Sequence, residues 1–146
     1  MAKHGIQAVG KESLGKDFGI AKPIQYLITN TRHYSWPKGG AIAGLGSDNM
    51  VAIDVGAEAR LDIKELKKHL HTPLRNEQAV YVVVAIIGST EEGVADPLLD
   101  ITNLRQWFQA KGLSFGVHAD AAWGGYFASM LLRSMGLLIF FFHLQD

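Results

Sequence analysis

The chain has 146 residues, of which 48% are hydrophobic and 19% charged, and its formal net charge is zero. This balance is typical of a folded globular domain and excludes an intrinsically disordered chain. The zero net charge provides no attraction for nucleic acid or for an anionic membrane, so we expect neither as a partner. The absence of cysteine excludes disulfides and thiolate metal sites.

The first half of the chain alternates between extended and helical apolar patterns. The run Ile24–Ile28 predicts a strand. Ser35 is a candidate N-cap, and Pro37 suits the first turn of the helix that follows it. Residues Met50–Val55 alternate with period two and predict a second strand. A capping-box spacing then predicts a helix over Asp62–Leu70.

The second half repeats this alternation. Val80–Ile87 is continuous, apolar and β-branched, which is typical of a strand buried on both faces of a parallel sheet. Asp96 and Pro97 then begin a helix. The predicted apolar face of this helix includes Leu99, Leu104 and Phe108. Ser114–His118 predicts a fourth strand, which a loop follows, so the whole pattern favours an α/β domain with a mainly parallel sheet.

The two ends of the chain fit this pattern less well. Residues Met1–Gly19 have no apolar core and so predict no secretory signal, and the N-terminal segment 1–21 is unassigned. A cytoplasmic location is the default expectation. The tail, residues 131–146, contains the apolar run Gly136–Leu144 but is shorter than the roughly 20 apolar residues of a membrane-spanning helix. It is either a buried helix or strand, or unrelated sequence after a truncation.

Several polar residues could carry chemistry, and each also has a purely structural explanation. His33 stands before a helix, where surface and capping roles are common. Ser89 and Thr90 follow a strand and are ordinary turn formers. Asp120 could cap the next helix. The stretch Trp123–Gly125 is interpreted as packing and turn residues.

The spacing of residues raises two further interpretations, a metal site and a dinucleotide-binding loop. His118 and Asp120 are two residues apart on one strand and so face the same side. Two ligands without a third make a weak metal site, so we predict no metal. Gly44-Leu45-Gly46 could begin a dinucleotide-binding loop, but Asn49 stands at the third glycine position and the pattern closes a helix, which excludes that interpretation.

Three segments together resemble one family. RHYSWPKGGAIAGLG, GSTEEGVADPL and HADAAWGG, in this order, resemble the pyridoxal-phosphate-dependent amino-acid decarboxylases of the tyrosine, glutamate and aromatic type. The resemblance covers residues 22–130, about three quarters of the chain. It implies the central part of the large domain of a fold-type-one pyridoxal-phosphate enzyme, within a three-layer α/β architecture. It also implies pyridoxal 5′-phosphate as cofactor, an amino-acid substrate and a homodimer for the intact family member.

The resemblance also implies roles for individual residues. Asp120 would be the carboxylate that keeps the ring nitrogen of the cofactor protonated. Ala122 would lie against one face of the ring. His33 would stack on the other face and approach the substrate as the catalytic residue. Ser89 or Thr90 would line the pocket near the ring substituents, and the choice between them stays open.

One residue that the chemistry needs is missing. The family's cofactor lysine lies downstream of the aspartate, whereas the last lysine here is Lys111, nine positions before Asp120. Lys38 matches no cofactor-lysine segment and is predicted to lie on a helix surface. We therefore expect a carboxy-lyase for a tyrosine-like or glutamate-like substrate that is inactive as this chain alone. The alternatives are a non-catalytic cofactor-binding or self-associating remnant of the family, and an unrelated α/β binding module.

Overall fold

The structure is a computed structural model that describes residues 15–134. Most of the unassigned N-terminal segment and most of the apolar tail therefore lie outside the described residues. The strands are β1 (Gln25–Thr29), β2 (Met50–Ile53), β3 (Val80–Ile86) and β4 (Gly116–Asp120). The helices that alternate with them are α1 (Ser35–Ile42), α2 (Ile63–Asn76), α3 (Leu98–Gln109) and α4 (Gly124–Ser134).

The strands form one sheet in the order β2-β1-β3-β4, and each neighbouring pair is parallel. Parallel neighbours need crossover connections, which here run through α1, α2 and α3. This arrangement confirms the predicted α/β class with a parallel sheet. Within the described residues, no helix is long and apolar enough to cross a membrane.

The two faces of the sheet carry different partners. One face packs against α2 and α3 in the main hydrophobic core. The fully buried side chains of this core include Leu27, Ile53, Val83, Leu66, Leu70, Ile101 and Phe108. The other face carries Ile28, Val84 and Ile86, which pack against Trp36 of α1. Residues paired in register share a face, and Asp120 pairs with Ile86, so Asp120 belongs to the α1 face.

Several predicted elements are confirmed with small shifts at their ends. β1 lies one residue later than predicted, and β2 ends at Ile53 rather than Val55. Asp62 is the N-cap of α2, because its side chain accepts hydrogen bonds from the backbone N–H groups of Lys64 and Glu65. α2 continues past Leu70 to Asn76, since its buried face extends through Pro73.

Three predictions are wrong in detail. Ser35 is the first helical residue of α1 rather than its N-cap, and Tyr34 occupies the cap position without a side-chain cap bond. Leu99 is 73% exposed, because the buried face of α3 includes Ile101 and not Leu99. The fourth strand lies two residues later than predicted, since β4 pairs in register with β3 from Gly116 onward.

Candidate functional site

The carboxyl ends of β3 and β4 lie beside a cavity of about 190 Å³. The backbone N–H of Ile87 donates to the carbonyl oxygen of Asp120 at 2.8 Å and so ties the two strand ends together. The wall of the cavity contains four of the predicted site residues, namely His33, Thr90, Asp120 and Ala122. It also contains Thr31, Ser35, Gly88 and Trp123. The fold therefore brings together side chains that the sequence separates by most of its length.

Asp120 is the carboxylate of this cavity. Its Oδ2 accepts a hydrogen bond from Nε1 of Trp36 at 2.7 Å, and its Oδ1 accepts one from the backbone N–H of Ala122 at 3.3 Å. Because each oxygen has a donor, the carboxylate plane is held in one orientation. The bond to Ala122 closes a local turn, and α4 begins only at Gly124, so Asp120 does not cap that helix.

His33 lies just before α1 and combines a structural contact with a place at the cavity. Its Nδ1 lies 2.9 Å from Oγ of Ser35 and accepts the backbone N–H of the same residue at 3.3 Å. A neutral imidazole whose Nδ1 accepts carries its proton on Nε2. The ring lies 4.1 Å from the ring of Tyr34, measured between centroids. The side chain of His33 is exposed, and its contacts with Tyr34 and Ser35 restrict its orientation.

Ser89 and Thr90 differ in where their hydroxyl groups are used. Ser89 is only 4% exposed, and its Oγ donates to a carboxylate oxygen of Glu92 at 2.8 Å. The same Oγ accepts the backbone N–H of Val94 at 3.3 Å. Thr90 is exposed and lines the cavity. Of the two candidates, Thr90 thus contacts the cavity, while Ser89 stabilises its own loop.

Two glycines allow the loops after β3 and β4 to touch. The backbone N–H of Gly124 donates to the carbonyl oxygen of Ile87 at 2.9 Å. A Cβ on Gly124 would collide with that same oxygen, and one on Gly88 would lie 2.8 Å from the nitrogen of Gly124. Gly124 is thus a packing residue, as the sequence predicted, whereas Trp123 is exposed at the cavity wall.

Asp96 lies outside the cavity and holds the end of β3 that borders it. The sequence predicted Asp96 only as the start of a helix. It is buried, and its two carboxylate oxygens accept the backbone N–H groups of Leu61 at 2.8 Å and Ile86 at 2.7 Å. Burial raises the pKa of Asp96, while these two hydrogen bonds and the charge of Arg60 oppose the rise. Asp96 thereby fixes the carboxyl end of β3.

None of the lysines among residues 15–134 lines the cavity. Lys111 precedes β4, and Asp120 is the last residue of that strand. Because the five residues of β4 span roughly 16 Å, Lys111 lies toward the amino ends of the strands and Asp120 at their carboxyl ends. Lys38 is exposed on α1. His118 shares the α1 face with Asp120, but the described part of the chain has no group of three or more possible metal ligands.

Trp36 is the functional candidate that the sequence analysis missed as an individual residue. Trp36 lies three residues after His33, at the start of a predicted helix, and this position by itself indicates no role in a site. No local pattern shows that its indole reaches a residue 84 positions away. The contact depends on the packing of the Trp36 indole on the sheet face that also carries Asp120.

Comparison with known proteins identifies the family. The sequence profile described as "Pyridoxal-dependent decarboxylase conserved domain" matches residues 6–139. The chain is 40% identical over 117 residues to an L-tyrosine decarboxylase of Enterococcus faecium, which covers 80% of this chain and 19% of that protein. It is 35% identical over 144 residues to an L-tyrosine decarboxylase of Enterococcus faecalis, which covers 99% of this chain and 21% of that protein. The chain belongs to the pyridoxal-dependent decarboxylase family and spans about a fifth of the length of these relatives.

Solved structures agree with this assignment. The apo form of mouse CSAD superposes with a TM-score of 0.62 at 30% identity, covering 79% of this chain and 23% of that one. A Catharanthus roseus tryptophan decarboxylase in complex with L-tryptophan superposes with a TM-score of 0.60 at 16% identity, covering 75% of this chain and 23% of that one. At that identity the second likeness shows the fold alone. The fold is that of fold-type-one pyridoxal-phosphate decarboxylases.

The cavity fits part of pyridoxal phosphate. A carboxylate, an imidazole and the small side chain of Ala122 suit a flat, cationic aromatic ring. The residues that line the cavity include no lysine or arginine to match the phosphate or the aldehyde. The lining of this cavity therefore fits the ring of the cofactor and provides neither a cation for the phosphate nor an amine for the aldehyde.

Proposed function

We propose that this chain forms the cofactor-ring part of the active site of a pyridoxal-phosphate-dependent amino-acid decarboxylase. The parent enzyme is a carboxy-lyase for a tyrosine-like or glutamate-like amino acid, and its intact form is a homodimer. The observation that carries the proposal is the meeting of His33, Asp120 and Ala122 at one cavity. When bound, pyridoxal phosphate supplies an electron sink for the electron pair that loss of carbon dioxide leaves behind.

Each of these residues has a distinct part in the proposal. Asp120 would hold a proton on the ring nitrogen of the cofactor, with its carboxylate already oriented by two N–H donors. Ala122 would leave room for one ring face. His33 would cover the other face and present the Nε2 proton toward the substrate. Thr90 would present its hydroxyl group at the cavity wall, and Ser89 would hold the loop that carries Thr90.

The proposal includes the expectation that this chain by itself releases no carbon dioxide. No lysine lies at the cavity within residues 15–134, and no lysine follows Asp120 in the sequence. Covalent capture of the cofactor aldehyde requires a lysine amine. The relatives are about five times longer than the part that this chain matches, and the expected inactivity concerns this chain alone.

A second candidate function is a non-catalytic, self-associating remnant of the same family. Exposed aromatic side chains favour it, since Trp123, Tyr126 and Phe127 are each at least 60% exposed near the start of α4. Large exposed apolar groups promote association between chains. This candidate and the first differ in whether the cavity binds the cofactor.

An absorbance titration of the purified chain with pyridoxal phosphate, followed by borohydride reduction and peptide mapping, tests the proposal. We expect a saturable spectral shift with no single reduced lysine. Asp120→Asn should abolish the shift, because the amide has no charge to offer the ring nitrogen. The control Asp100→Asn changes an exposed carboxylate on α3 and should leave the shift intact. No shift in the wild-type chain would leave only the self-associating candidate, and release of labelled carbon dioxide from tyrosine or glutamate would contradict the expected inactivity.

A further inference from the structure

We infer that Trp36 is a positioning residue for Asp120, holding the carboxylate in the orientation that selects a ligand with a protonated ring nitrogen. The inference rests on the proposed function, because it concerns the same carboxylate. It adds Trp36 to a site otherwise formed by Ser35 at the start of α1, the segment before that helix and the ends of β3 and β4.

The first observation is the hydrogen bond itself. Nε1 of Trp36 lies 2.7 Å from Oδ2 of Asp120, at the short end of the range for N–H···O bonds and typical of a bond to a charged acceptor. The indole N–H is a donor only, so the direction of the bond is fixed. Among the described residues, no other side chain donates a hydrogen bond to this carboxylate.

The second observation is that the indole ring is itself held in place. It packs against the cluster formed by Ile28, Val84 and Ile86 on the sheet. It also meets the ring of His118 edge-on, with 5.6 Å between the centroids. A donor fixed by packing on a sheet can orient its acceptor, because it does not follow the acceptor when the acceptor rotates.

The third observation is that the two oxygens of Asp120 are not equivalent. Oδ2 has the short bond from the indole, while Oδ1 has only the longer bond from the backbone of Ala122 at 3.3 Å. Asp120 also borders two cavities, the small one and a second of about 480 Å³ that Trp36 lines. Trp36 therefore binds Asp120 from outside the small cavity. Oδ1, which has the weaker of the two bonds, is the oxygen better able to accept a further hydrogen bond.

Without the indole N–H, only one local bond would restrain the carboxylate. The terminal torsion of an aspartate has broad preferences, so the plane would turn more easily. Binding a ring N–H would then require ordering the carboxylate at the moment of binding, which weakens binding. The loss would affect ligands that use the ring nitrogen and leave others nearly unchanged.

The experiment compares two aldehyde-free probes, which cannot react with surface lysines. One is pyridoxine 5′-phosphate, and the other is its analogue with carbon in place of the ring nitrogen. Calorimetry with Trp36→Phe, which keeps an aromatic ring and removes the N–H, should show binding of the nitrogen probe weakened by roughly fivefold or more. Binding of the carbon analogue should change by less than about twofold. The control Trp107→Phe alters an indole on α3 and should change neither.

Equal weakening of both probes would reduce Trp36 to a purely structural residue, and unchanged binding of both would also overturn the inference. A wild-type chain that binds neither probe contradicts the proposed function instead.

Nuclear magnetic resonance then still tests the contact, since the chain has three tryptophans and hence three indole N–H signals. Asp120→Ala should move the Trp36 signal, identified by its loss in Trp36→Phe, and leave that of Trp107 in place. A stationary Trp36 signal would overturn the inference without any ligand.

Discussion

Asp96 and Asp120 stand near the ends of neighbouring parallel strands and use their carboxylates in opposite ways. Asp96 is buried and accepts two backbone N–H groups, those of Leu61 and Ile86. Asp120 is half-buried, accepts the indole N–H of Trp36 and borders a cavity. Both oxygens of the buried Asp96 are used inside the fold. The carboxylate of Asp120 is held in one orientation and is accessible to a ligand in the cavity.

The comparison shows what distinguishes a carboxylate that stabilises a fold from one that serves a site. A buried acceptor shared by two backbone segments fixes those segments and is costly to remove, because the donors lose their partners. An acceptor held by one side chain and one local turn costs less to remove and keeps an accessible oxygen. The two carboxylates should therefore differ most in what their removal costs in stability.

The largest expected effect is that of Asp96→Ala. The substitution leaves two buried N–H groups without an acceptor, which should lower the free energy of unfolding by about 3 kcal/mol. Asp120→Ala leaves the half-buried indole N–H of Trp36 without its partner and should cost about 1 kcal/mol. Urea unfolding followed by circular dichroism measures both. Equal losses for the two variants would show that the buried Asp96 contributes no more to stability than the half-buried Asp120.

A smaller effect is expected where the two strand ends touch. In Gly124→Ala the new methyl group collides with the carbonyl oxygen of Ile87, and neither backbone can move without disturbing the other. We expect a loss of about 2 kcal/mol in the free energy of unfolding. Gly39→Ala is the matched control, because a methyl group there meets no atom within 4 Å and alanine favours the helix. If the control lost as much stability as Gly124→Ala, the collision would not be the cause.

The sequence predicted the elements of this fold well wherever local pattern decides them. The strand predicted over 80–87 is found at Val80–Ile86, because a continuous apolar run rich in β-branched residues favours a buried strand, although Tyr81 is 57% exposed. α2 could be located because Asp62 and Glu65 have the spacing of a capping box. β4 was placed two residues too early, because Leu113 and Phe115 are buried before the strand begins and local pattern does not show where pairing with β3 starts.

The site was predictable only in part, for the same reason. The family resemblance selected His33, Asp120 and Ala122, and the fold places all three at one cavity. Their roles toward a cofactor stay predictions. Trp36 could not be found in this way, because its role depends on a contact between α1 and β4 that no spacing along the chain encodes.

The raised pKa of Asp96 predicts that the stability of the chain depends on pH. Because burial raises the pKa of Asp96 in the folded chain, the folded state holds that proton more tightly than the unfolded state does. The stabilisation from this proton is fully present below the unfolded pKa and is lost as pH rises through the folded pKa. We therefore expect the wild-type chain to lose stability relative to Asp96→Asn as pH rises from about 4. If the free energy of unfolding changed equally with pH in the two proteins, the pKa of Asp96 would not be raised in the folded state.

The smallest expected effects separate Ser89 from Thr90. Ser89→Ala removes a buried hydroxyl with two loop contacts and should cost about 1 kcal/mol of stability while leaving cofactor binding within about twofold. Thr90→Val keeps the shape of an exposed side chain and removes its hydroxyl from the cavity wall. It should leave stability within about 0.5 kcal/mol and weaken pyridoxal phosphate binding by roughly threefold. Calorimetry and urea unfolding on both variants give the four values. The reverse pattern, with binding lost in Ser89→Ala alone, would mean that the buried hydroxyl of Ser89 turns toward the ligand and that the loop after β3 rearranges on binding.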